Sequence, residues 1–181
     1  MSDKGGEAER DDFSEMDSDD ALIEEMYAPL IGPEYYDIVD HKERIEECLN
    51  HPDVNHRALA LTLCKEFAAL SFHVEERIME LAKGDPLPLI RALATIALSG
   101  HAMRLHRVGS AQAKLLLRFF ARVALDQSED DLVRRAAYGS AVLAEPDLGK
   151  VKHVLRGGKF LAKNFPVADF DLAYLRETLA L

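Results

Sequence analysis

The sequence predicts an all-α chain, folded as a short right-handed α–α superhelix (a solenoid) of about three helical pairs plus a C-terminal capping pair. Three observations carry this expectation. From Pro33 onward apolar residues recur at three- and four-residue steps, the period of an amphipathic helix. No window alternates apolar and polar residues between turn signals, as a half-buried strand would. A stretch near the first third of the chain repeats itself 34 residues later, a spacing typical of stacked helical pairs.

The elements follow in order. Pro33 sits where a first helical residue is tolerated, and Ile38, Ile45 and Leu49 place a helix over about Glu34–Asn50. Asn50 and His51 break the chain before Pro52. Leu59, Leu63, Phe67 and Leu70 then mark a helix to about Leu70. Ile78, Leu81 and Ala82 mark one over Val74–Lys83, ended by Gly84, and the next runs Pro86–Ser99, ended by Gly100. A loop is expected over about 100–109. Ser110 is a candidate N-cap for a helix to Asp126 with Leu116, Phe119, Phe120 and Val123 on one face. A further helix spans about Glu129–Glu145 and stops at Pro146. Leu148, Val151, Val154 and Leu155 mark a short helix before Gly157-Gly158, and a last one covers about Asp169–Leu181.

Charge is unevenly spread. The net charge of the 181 residues is -10. Residues 1–25 carry eleven acids and two bases, a balance of -9, whereas residues 101–163 carry twelve bases and six acids, a balance of +6. The first stretch has little apolar content and no period, so residues 1–20 are expected to form an acidic disordered tail, with the helical-repeat domain over 21–181. An acidic tail on a chain with a basic later half suggests regulation by that tail. Hydrophobic residues make up 48% of the chain, enough for a core. No apolar run approaches the ~20 residues of a membrane span, and the acidic N-terminus lacks the apolar core of a secretory signal. A cytoplasmic protein with no membrane contact is expected.

The repeat is explicit. Asn50–Leu63 reads NHPDVNHRALALTL and Gly84–Ala97 reads GDPLPLIRALATIA, with Pro52/Pro86, Arg57/Arg91, Ala58/Ala92, Leu59/Leu93 and Ala60/Ala94 identical. A third copy begins at Ser128, with Arg134 following Arg91 by 43 residues and Ala137 matching Ala94. Asp85-Pro86, Ile90-Arg91, Ala94 and Ala97-Leu98 resemble the second helix of a HEAT repeat, an armadillo-like architecture, and Asp131-Leu132-Val133-Arg134 is a looser match. The resemblance covers about residues 34–146. It is specific for architecture and almost silent about chemistry, and repeat stacks of this kind offer extended surfaces on which a scaffold binds other proteins. Independently, small residues such as Ala58, Ala92 and Ala137 allow helices to approach closely, and stacked pairs bury faces that one pair leaves exposed. Arg57, Arg91 and Arg134 would then recur once per layer as a structural ladder, each bridging to a carboxylate or helix end of its neighbour.

Sites for covalent chemistry are sparse. The seven histidines form no H-E-x-x-H pattern, and His101 and His106 lie beside Arg104 and Arg107, whose charge opposes a metal cation. Cys48 and Cys64 are too few for a disulfide framework or a four-cysteine zinc site. Gly157-Gly158-Lys159 lacks the spacing and the preceding strand of a phosphate loop. No catalytic, cofactor-binding or metal-binding residue is assigned, and no cofactor is expected.

The most suggestive feature is basic. Lys114, Arg118 and Arg122 recur every four residues along one helix face; Arg134 and Arg135 follow, then Lys152, Arg156, Lys159 and Lys163. These residues are the candidate surface for an anionic partner, an acidic protein above all. Nucleic acid is disfavoured, because the body is near neutral and no basic run interleaves with stacking aromatics. The expected function is therefore a non-catalytic protein–protein interaction module. A rival reading is a HEAT-like enzyme of the bilin-lyase or DNA-glycosylase type acting on an anionic ligand, although neither family offers a motif that maps onto numbered residues here. A homo-oligomeric module is a third expectation, since an uncapped end such as Leu179-Ala180-Leu181 exposes apolar surface.

Overall fold

The structure, a computed structural model, describes residues 42–66, 71–147, 150–151 and 165–180. All belong to the unit Ile38–Leu181. The expected tail over 1–20, the helix start at Pro33 and most of the short helix after Leu148 lie outside the described residues, as do Lys152, Arg156, Lys159 and Lys163. Within the described residues the regular structure is helical and contains no strand.

Seven helices are described: α1 (Lys42–Leu49), α2 (Val54–Glu66), α3 (Phe72–Gly84), α4 (Pro88–Arg107), α5 (Ala111–Leu125), α6 (Asp131–Ala144) and α7 (Leu172–Ala180). A 3-10 turn, Val167–Asp169, precedes α7. Helix α1 packs on α2, α3 on α4 and α5 on α6, while α2, α4 and α6 pack in series. Helix α4 also touches α5, and α7 closes against α5.

Local chemistry explains the boundaries. Ser71 caps α3, its hydroxyl accepting from the Val74 N–H at 3.3 Å, and Glu75 in the first turn favours the helix dipole. Val74, Ile78, Leu81 and Ala82 form the buried stripe of that helix. Pro88 starts α4, where a missing N–H costs nothing. Ser110 caps α5 by accepting from the Gln112 N–H at 3.3 Å, as its position in the sequence suggests. Asp130 caps α6, accepting from the Leu132 N–H at 2.8 Å.

The boundaries of α4 differ most from the sequence reading. Helix α4 begins at Pro88 rather than Pro86, and it does not stop at Gly100: it continues to Arg107, so the expected loop over 100–109 is mostly helix. The reason is burial. This helix contacts α2, α3, α5 and α6, and Leu98, His101 and Ala102 lie in the core on both sides of the glycine. That packing outweighs the roughly 1 kcal/mol a mid-helix glycine costs. The true stop is Gly109, at φ 69°. Its N–H donates to His106 O at 2.9 Å while the Ser110 N–H reaches Leu105 O at 3.0 Å, the paired bonds of a Schellman cap.

At the C-terminal end three aromatic rings stack. Tyr138 on α6 lies 4.3 Å from Phe170 and 5.8 Å from Phe165, centroid to centroid. The Tyr138 hydroxyl accepts from the Asp171 N–H, and the Tyr174 hydroxyl donates to Ala141 O at 2.8 Å. The segment after Phe165 is thus fastened to α6 by both packing and hydrogen bonds. It is the described part of the expected capping pair.

Candidate functional site

The turns joining α3 to α4 and α4 to α5 each hold three residues, 85–87 and 108–110. Connections this short reverse the chain. Helices α3 and α5 therefore run in the same sense, both leaning on α4. Between them lies an open groove of about 390 Å³ lined by Glu75, Met79 and Lys83 from α3 and by Gln112, Leu115, Leu116, Arg118, Phe119 and Arg122 from α5.

The floor is apolar and the rim is charged. Leu116 is buried beneath the groove, Met79 and Phe119 are half-buried, and Leu115 remains 60% exposed. Lys83 and Arg122 are exposed and Arg118 is half-buried.

At the N-terminal ends of the two helices the groove closes on a polar cluster. The Gln112 side-chain amide donates to Glu75, and the other Glu75 oxygen lies 3.2 Å from His101 Nε2. His101 comes from α4 and is only 7% exposed. Burial lowers its imidazole below the ordinary range; the Glu75 carboxylate pulls the other way, and the Arg104 guanidinium again lowers it. His101 does not line the groove.

The predicted basic residues separate into groups. Arg118 and Arg122 enter the groove, whereas Lys114, on the same helix, is exposed and outside the lining. Arg135 sits half-buried on α6. Arg134 is engaged elsewhere: its Nε donates to Ala124 O at 3.3 Å, its Nη1 lies 3.3 Å from Asp131, and its guanidinium sits 6.0 Å from the Phe170 ring centre.

Two of the three repeat arginines, Arg57 and Arg91, share a bonding pattern. Arg57 Nη1 donates to the carbonyls of His51 and Pro52, in the turn before its own helix, and its Nε lies 3.0 Å from Asp85 in the next turn. Arg91 Nη1 donates to Asp85 O at 2.7 Å, and its Nη2 reaches Glu129 in the following turn at 2.7 Å. Each of these two guanidinium groups ties the turn before its own helix to the turn before the helix two places on. Asp85 is central, because its carboxylate also accepts from the Leu87 N–H.

Other chemistry finds little support among the described residues. No group of three or more His, Cys, Asp or Glu side chains there is placed to hold a metal ion. Both cysteines are buried, and burial pushes the Cys64 thiol up to about 12, far from a reactive thiolate. No described helix is long and apolar enough to cross a membrane.

Sequence reasoning missed Glu75, Met79, Lys83, Gln112 and Leu115 as groove residues. Their spacing marks them as helical surface, and only the placement of α3 and α5 on the two sides of one groove makes them a site. Comparison with protein-family models, with curated proteins and with solved structures finds no match for this chain.

Proposed function

We propose that the described domain is a HEAT-like helical-repeat module that binds an acidic protein partner without covalent chemistry. The serial packing of α2, α4 and α6 and the turn-to-turn arginine bonds support the repeat part of this reading. The observation that carries the function is the groove between α3 and α5: Lys83, Arg118 and Arg122 stand around an apolar floor, against the one carboxylate of Glu75. Apolar cover supplies binding energy, and exposed cations select an acidic partner and speed its encounter.

Panning a random peptide library against the immobilised full chain tests this reading. Enriched sequences are expected to be rich in Asp and Glu, and enrichment is expected to vanish for the Arg118→Ala/Arg122→Ala variant. Equal enrichment of neutral or basic sequences refutes it, as does enrichment indifferent to that variant.

A further inference from the structure

The geometry points to a ligand more specific than an acidic chain: an acidic amphipathic helix, lying in the groove parallel to α3 and α5 with its N-terminus beside Glu75 and its acids toward Lys83 and Arg122. This inference rests on the binding reading above and gives it a shape and a direction.

The shape comes from the walls. Two helices side by side leave a trough into which a third helix packs at an axial separation of about 8–10 Å. On α3 the lining runs from Glu75 to Lys83, and on α5 from Gln112 to Arg122. At 1.5 Å per residue these stretches are about 12 and 15 Å long, enough for two to three turns of ligand helix. Met79, Leu115, Leu116 and Phe119 lie between the charged ends. They offer the apolar strip that side chains at i, i+3, i+4 and i+7 of such a helix would cover. Arg118 and Arg122 are one turn apart on α5, about 6 Å along the axis. Carboxylates at i and i+4 of a ligand helix repeat at the same rise.

The direction comes from charge. Glu75 and Gln112 mark one end of the groove, while Lys83 and Arg122 mark the other. A helix carries partial positive charge at its N-terminus and negative charge at its C-terminus. The parallel orientation puts the positive end against Glu75 and the negative end, with its acids, among the cations. The antiparallel one reverses both contacts. A nucleic acid or a free phosphate gains nothing from the apolar strip and meets Glu75 as a like charge.

The test uses the full chain and three labelled peptides of about four helical turns, followed by fluorescence anisotropy. The first is a Leu-rich amphipathic helix with Glu at i, i+4 in its C-terminal half. The second carries the same Glu residues in its N-terminal half, and the third is a scramble of the first without amphipathic spacing. The first is expected to bind about tenfold tighter than either of the others. Lys83→Glu or Arg122→Glu, both exposed sites whose folding a thermal melt verifies, is expected to remove that preference. Glu75→Gln, an isosteric change, is expected to bring the first two peptides closer in affinity. Equal binding of the scramble overturns the helical ligand, and equal binding of the first two overturns the direction. Acidic peptides that bind but ignore Lys83→Glu and Arg122→Glu sink this inference while leaving the broader acidic-partner reading intact. Failure of every acidic peptide to bind sinks both.

Discussion

His101 is buried within a helix that the sequence seemed to end one residue earlier, and its burial has a pH signature. An imidazole whose folded pKa lies below its ordinary 6.5 binds fewer protons in the folded state than in the unfolded chain. The stability from keeping it neutral is whole above 6.5 and falls as pH drops below that value. The charged groups acting on it are Glu75 from α3 and Arg104 on its own helix. Thermal melts at pH 7.5 and 5.5 are expected to show a larger loss for the parent than for His101→Gln; equal losses would remove this account. Glycines give a contrast at the same scale. Gly109 needs φ 69°, so Gly109→Ala is expected to cost roughly 1 kcal/mol of stability by denaturant titration. Gly139 lies in α6 with open space where a Cβ would go, so Gly139→Ala is expected to gain about 0.5–1 kcal/mol.

Between elements, the decisive contacts are the arginine bonds from turn to turn. The side chains of Arg57 and Asp85 are 12% and 4% exposed, whereas Arg77 and Glu80, an i,i+3 pair, are 33% and 60% exposed. Screening by water leaves the exposed pair worth well under about 1 kcal/mol. Removing Arg57 strands the Asp85 carboxylate in the interior, so Arg57→Leu is expected to cost about 3 kcal/mol. A double-mutant cycle with Asp85→Asn is expected to return a coupling of about 1–3 kcal/mol, and the Arg77–Glu80 cycle close to none. Matching values in the two cycles would deny Arg57 its special place. The helices were largely legible from the sequence, because Ile78, Leu81, Leu116 and Phe120 keep helical spacing and Ser110 caps where its hydroxyl suggested. Gly100 misled because glycine is a weak helix former wherever it stands, and only contacts from four neighbouring helices hold it helical. The basic stripe of Arg118 and Arg122 was visible within one helix. Lys83, Met79 and Glu75 were not, because they lie about 30–45 residues from their groove partners on α5 and only the tertiary fold brings the two helices to one groove.

Across the described domain, burial is concentrated on α4. Ten of its residues are buried, and it touches α2, α3, α5 and α6, while α1 leans on α2 and α3. Such differences in buried contact translate into unequal local opening. Native-state hydrogen exchange is expected to be slowest in α4, at the free energy of global unfolding, and faster in α1. Uniform protection across all helices would argue for a single cooperative block.

Arg57 and Arg91 each carry a contact forward, from the turn before their own helix to the turn before the helix two places on. A turn such as 85–87 therefore presents an acceptor backward and, through Arg91, a donor forward, like the two ends of a link in a chain. Arg134 is the last of the three, and in place of a carboxylate from a later turn it rests on the face of Phe170. An aromatic face receives a guanidinium yet offers no forward donor. Among the described residues the forward contacts of Arg57 and Arg91 therefore have no counterpart at Arg134, whose guanidinium meets a ring instead of a carboxylate from a later turn.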